Sequence, residues 1–167
     1  VIAGAILVLS ALRAGAHVQV TLSGEPGKHA STDGFVRDER KALAVLTSYL
    51  GTGYSFGVLR LKDAFLDGKA PRARPAHVLL ISDSDWFQML KQTPNGWEIA
   101  RDAVAAAGGG ATAVLDRCPR THYAASLDRL VSIGFDVHHL DGPASLVPFA
   151  RAFSKRRYEA PVRKVRR

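Results

Sequence analysis

Two carboxylates stand directly after the most apolar run of the chain, in Leu79-Leu-Ile-Ser-Asp83-Ser84-Asp85. The run itself has the pattern of a strand buried on both faces of a parallel sheet. Carboxylates at its tip resist desolvation, so they stay wet, cap a helix or hold a cation. A hard divalent ion takes oxygen ligands from carboxylates, hydroxyls and water. Thr52 and Ser55, in the glycine-rich stretch Gly51-Thr-Gly-Tyr-Ser55, offer hydroxyls that could reach the same edge. The competing reading is that Asp83 or Asp85 caps a short helix beginning at Trp86.

Alternating helices and strands position these residues. Val1–Ala14 reads as a helix with Gly15 at the left-handed C-terminal cap, and His17–Ser23 alternates like a strand. Glu25–Gly34 is turn-rich with room for a short edge strand. Asp38-Glu39 opens a helix whose apolar face carries Ala42, Leu43, Leu46, Tyr49 and Leu50, and Val58–Leu66 is helical again. His77–Ser82 is the central strand. Asn95 and Glu98 form a capping-box-like start to a helix stopping at Gly108-Gly-Gly110. Ala111–Leu115 is a strand, His122–Ile133 a helix closed by Gly134, and Phe135–Leu140 another strand. Pro143 opens a last helix facing inward with Leu146, Phe149, Ala150 and Phe153. Such alternation predicts an α/β fold with a mostly parallel sheet covered on both faces. Ligands of such sheets bind outside the carboxyl ends of the strands.

Other chemistry is less well supported. One Cys in 167 residues excludes an internal disulfide framework and a four-cysteine zinc site. Cys118 lies among Arg117, Arg120 and His122, which could lower a thiol pKa, but a Cys-x5-Arg phosphatase loop needs Arg where Ala124 stands, so an inert or merely exposed thiol is expected. No nucleotide-binding Gly-x-x-x-x-Gly-Lys-Ser/Thr loop occurs. His138 and His139, adjacent on a strand, point to opposite faces and cannot share an ion. Asp83-x-Asp85 after an apolar strand also resembles the start of haloacid-dehalogenase-type phosphotransferases, with Asp83 as nucleophile and Asp85 as general acid and base. Phe87 stands where that pattern wants Thr or Val, which ranks this reading second.

The net charge of +8 and pI near 10.1 are mostly terminal. Val1 to Ser154 holds 16 basic and 14 acidic residues, a balance of only +2. Residues 155–167 hold Lys155, Arg156, Arg157, Arg163, Lys164, Arg166 and Arg167 against Glu159 alone, a balance of +6. We therefore divide the chain into one domain over 1–154 and a basic tail over 155–167. The tail, with Lys69, Arg72 and Arg74, suits salt-sensitive polyanion contact, so nucleic acid would bind only without base specificity. The apolar stretch Val1–Leu12 falls short of the ~20 residues of a membrane span. With neither an initiator Met nor a basic leader, it reads as a buried helix in a chain truncated upstream, and a cytoplasmic location is expected.

The order of segments resembles a von Willebrand factor type A domain lacking its first strand. The similar stretches are the helix before Val20-Thr-Leu-Ser-Gly24, then Tyr49-Leu-Gly-Thr-Gly-Tyr-Ser-Phe56, then His77-Val-Leu-Leu-Ile-Ser-Asp83. The closing pattern is Leu127, Gly134, Phe135-Asp-Val137, Leu146 and Phe149-Ala-Arg151. The resemblance implies a three-layer α/β/α sandwich, Rossmann-like, with a metal-ion-dependent adhesion site for Mg2+ or Mn2+ at the top of the sheet. It implies a non-catalytic protein–protein interaction module, in which a partner's acidic side chain completes the metal's coordination. Asp83 matches the family's Asp after the fourth strand, and Thr52 or Ser55 would serve for its Thr, because Tyr54 occupies that position. Asp85 sits at the rim. The family's Asp-x-Ser-x-Ser motif is absent, which implies a weakened or missing metal site in this chain.

Overall fold

A computed structural model describes residues 2–22, 30–48, 57–68 and 75–151. It is an α/β fold built on a three-stranded parallel sheet. The elements in chain order are α1 (Ile2–Arg13), β1 (Thr21–Leu22), β2 (Ala30–Ser31), α2 (Glu39–Thr47), α3 (Gly57–Phe65), β3 (Ala76–Ser82), α4 (Asp85–Gln92), α5 (Gly96–Ala107), β4 (Gly108–Asp116), α6 (Ala124–Ser132) and β5 (Phe135–Leu140). A 3-10 turn at Pro143–Ser145 leads into a helical stretch over 146–151.

α1 ends as its sequence dictates. Gly15 takes φ +81°, its amide donates to the Leu12 carbonyl and that of Ala16 to the Ala11 carbonyl. This is the Schellman pattern, which satisfies carbonyls that the helix leaves without partners. Asp38 caps α2, its carboxylate accepting from the amides of Arg40 and Lys41. The strand expected over His17–Ser23 is much shorter. Val18 makes an isolated bridge to Val36 and only Thr21–Leu22 pairs with β2, antiparallel. The Thr32 hydroxyl fastens this hairpin, accepting from the Val20 amide and donating to the Gly34 carbonyl.

The main sheet has the order β3-β4-β5, all parallel. One expectation is corrected for the described residues: among them β3 is not central. It pairs there on one side only, with β4, and its residues are mostly half-buried, whereas β4 is buried from Ala111 to Leu115. Alternation sorts the side chains. Val78, Leu80, Ala113, Leu115, Phe135 and Val137 face a core filled from α3, α4, α5 and α6, with Trp86, Phe87 and Leu130 deepest. Leu79, Ile81, Val114 and Leu140 face the other way, onto Ala3 and Leu7 of α1 and Leu146 and Phe149. Each large side chain fully buried this way contributes about 1.5–3 kcal/mol.

α1 also touches the smaller hairpin. Leu12, Ala5 and Val8 pack with Val18, Val20 and Leu22 and with Ala42 and Leu46 of α2. One helix therefore lies over both sheets, which are not hydrogen-bonded to each other.

The capping box expected at Asn95 is not formed. Asn95 is left-handed (φ 56°) and makes no side-chain cap, and the residue after it sits where α4 and α5 approach closely. A Cβ on Gly96 would lie 2.4 Å from the Leu90 carbonyl oxygen. The glycine triplet is also more than a helix stop. Gly108 caps α5 at φ +70°, and all three glycines belong to β4. Pairing there runs Ala76 with Gly108 and then Val78 with Ala111, a bulge of one extra residue. Among the described residues no helix is long and apolar enough to cross a membrane.

Candidate functional site

At the carboxyl end of the sheet, the strand-end residues come together as the parallel register requires. Asp83 follows β3 and is exposed, as is Asp85 in the first turn of α4. The Asp83 carboxylate accepts from the Asp85 amide at 3.0 Å, a local turn at the start of α4, while the cap position itself is held by Ser84, whose side chain makes no cap hydrogen bond. An Asp in this position also favours the positive end of the α4 dipole. Trp86 and Phe87 then turn inward and bury the helix. The Trp86 indole nitrogen is buried there with no hydrogen-bond partner among the described residues.

Thr52 and Ser55 lie outside the described residues, as do Lys69, Arg72, Arg74 and the basic residues from Lys155 to Arg167. Asp83 and Asp85 are the two site candidates that the structure places. Among the described residues no group of three or more His, Cys, Asp or Glu side chains is arranged to hold a metal. Asp83 keeps Oδ2 for a cation, but further ligands would have to come from elsewhere.

The inert reading of Cys118 agrees with its surroundings. The side chain is buried, and burial followed by the nearby Asp83 charge pushes its pKa up. Such a thiol stays protonated and is a poor nucleophile. Arg117, whose charge was counted towards activation, points elsewhere: it is exposed, adopts φ 49° and pairs with Asp116 at 3.5 Å. Its amide donates to the Leu140 carbonyl, tying the loop after β4 to the end of β5.

His138 and His139 do fall on opposite faces. His139 has Nδ1 buried with no hydrogen-bond partner among the described residues. Burial first, then the Arg120 charge, lowers its pKa against the opposing pull of Asp141. Because the unfolded chain then takes up a proton more readily, His139 withdraws stability as pH falls below about 6.5, down to its lower folded pKa. We expect the difference in urea-unfolding stability between the wild type and His139→Gln to change between pH 7.5 and 5. A difference that stays constant over that range would contradict the burial of a neutral imidazole.

A second constellation lies at the amino ends of the strands, on the face shared with α1, and the sequence pattern did not single it out. It surrounds a groove of about 490 Å3. His77 Nδ1 sits 2.9 Å from the Gly109 carbonyl oxygen and Nε2 2.9 Å from the Thr112 hydroxyl. Since a carbonyl only accepts, Nδ1 donates, and a neutral ring then accepts the Thr112 proton at Nε2. Asp136, beside Thr112 in register, accepts from His138 Nε2 at 3.1 Å. The signal was the polar i, i+2 pair Asp136 and His138 within an apolar strand. Only the register joins it to Thr112 and His77.

Comparison with protein-family models, curated proteins and solved structures finds no match.

Proposed function

We propose that this chain is a non-catalytic protein–protein interaction module of von Willebrand A type, acting at the carboxyl end of its sheet. The finer architecture in this reading is a three-layer α/β/α sandwich from which one strand, between β1 and β3, is missing. The observation that carries it is the split sheet beneath α1. β3 has the composition of a central strand, yet among the described residues pairs on one side only, while α1 covers β3 and the β1 hairpin together. A Cβ on Gly4 of α1 would touch both Ile81 of β3 and Leu46 of α2. An added parallel strand would satisfy the open edge of β3 and put its own carboxyl end beside Asp83.

In the complete parent, Asp83 would then share a Mg2+ or Mn2+ ion with ligands from that strand's end and with Thr52 or Ser55. The ion would draw a partner's carboxylate to the top of the sheet. In this chain the donor set is incomplete, and we expect magnesium to bind weakly or not at all. The test is calorimetric titration of Mg2+ into a chain extended upstream of Val1. Asp83→Asn is the informative variant, because its amide oxygen can still accept from the Asp85 amide while the ligand charge is lost. We expect a fall in affinity of at least ~10-fold. Equal affinity would remove Asp83 from the site. Phosphate release from p-nitrophenyl phosphate that Asp83→Asn abolishes would instead favour phosphotransfer.

A further inference from the structure

Among the described residues, α1 serves two cores that share no other element. Ala3 and Leu7 pack on the main sheet, with Leu79, Ile81, Val114 and Leu140. Ala5, Val8 and Leu12 pack the other way, with Val18 and Val20 of the hairpin and Ala42 and Leu46 of α2. The two sides are unequal. The largest fully buried side chains, from Trp86 and Phe87 to Val58 and Val114, all belong to the main sheet and to α3, α4 and α6. On the hairpin side the buried apolar residues are Leu12, Val20, Ala42 and Leu46.

Backbone bonding follows the same division. Val18 and Val36 exchange hydrogen bonds at 2.9 and 2.8 Å, and the Thr32 amide donates to the Val20 carbonyl at 2.9 Å, all inside the hairpin. The two sheets share no hydrogen bond among the described residues. Arg13 of α1 reaches Glu39 of α2 at 3.4 Å, but both side chains are exposed, and such pairs contribute little. The chain leaves α1 through Gly15, which is left-handed and has open space around its Cβ position. A modest apolar contact with α1 therefore holds the hairpin and α2 in place.

We propose that the β1–β2 hairpin and α2 form one cooperative unit that opens from α1 as a whole, while α1 stays on the main sheet. Units of this kind open more readily than the whole fold. Opening bares Val8 and Leu12 of α1 and leaves β3, β4 and β5 folded. The device is built on the split sheet and does not depend on any metal or partner at the carboxyl end.

The test is native-state amide exchange of the whole chain at low urea concentrations. The amides of Val18, Thr32 and Val36 should exchange together, at least ~10-fold faster than those of Ala113 and Val114. Their rates should also rise less steeply with urea, because local opening exposes less surface than global unfolding. Leu130→Ala separates the two units, since Leu130 is fully buried in the main core. It should speed exchange at Ala113 and Val114 at least ~10-fold and leave the hairpin amides within ~2-fold of wild type, because Leu130 stays packed when the hairpin opens. Leu46→Ala, in the hairpin's own core, should speed both sets by the same factor, because it weakens the folded state from which both open. If Leu130→Ala speeds the hairpin amides as much as those of β4, the molecule opens as one unit and the proposal falls. A single urea slope shared by both sets in the wild type would overturn it equally, and that reading needs no variant to fold.

Discussion

Truncating Phe87 to Ala is expected to cost about 3–5 kcal/mol of folding stability. Phe87 is 0% exposed, and it stands two residues after the start of α4, directly behind the Asp83–Asp85 tip. Its ring lies 6.5 Å from Trp97 and 5.2 Å from Tyr123, stacked on both. One side chain thus ties α4 to α5 and to the turn before α6. The substitution removes the transfer energy of the ring, leaves a cavity that packed helices cannot fill, and loses two aromatic contacts. Urea denaturation should show a lower midpoint with little change in slope. Phe87→Leu, which keeps most of the volume, should cost far less. If the two variants are equally mild, α4 does not pack as described and the carboxylate tip has no fixed support.

Gly109→Ala should be a severely damaging single-methyl change. An added Cβ would lie 2.5 Å from the Ala76 carbonyl oxygen and 2.7 Å from its carbon. Both are backbone atoms in the neighbouring strand, so no side chain can swing aside. The bulge between Ala76 and Val78 would have to open, loosening the Gly109 carbonyl from His77. We expect a loss of about 1–3 kcal/mol, the range for forcing atoms into packed structure. Gly68→Ala is the control, because nothing lies within 4 Å of that Cβ, and it should change stability by no more than about 0.5 kcal/mol. Equal effects at the two glycines would mean the close strand approach is absent.

The sequence made the strands and helix ends legible wherever the signal was local. β5 occupies Phe135–Leu140 as read, β3 lies within one residue of its expected start, and Gly15 closes α1 by backbone geometry that the residue type predicts. What needed tertiary information was missed. The apolar run of β3 looked central because hydrophobicity reports burial by α1 and by the α3–α6 helices, not the number of hydrogen-bonded neighbours. Asn95 looked like a cap, but it is left-handed and its side chain makes no cap hydrogen bond. Cys118 has basic neighbours in sequence, yet it reads as inert, and its neighbours in space are an apolar core and Asp83. Of the metal candidates, Asp83 and Asp85 were placed at the sheet's carboxyl end as anticipated, while Thr52 and Ser55 lie outside the described residues. The polar row of His77, Thr112 and Asp136 could not be assembled without knowing the strand register.

The open edge of β3 is the feature on which the proposed architecture rests, and amide hydrogen exchange across residues 76–82 tests it most directly. With β4 on one side only, alternate amides of β3 point at a partner and the others do not. The account predicts a two-residue alternation in β3, slow amides between fast ones, while the β4 amides from Ala111 to Leu115 are all slow. Uniformly slow exchange along β3 would contradict it, because both edges of the strand would then already be paired.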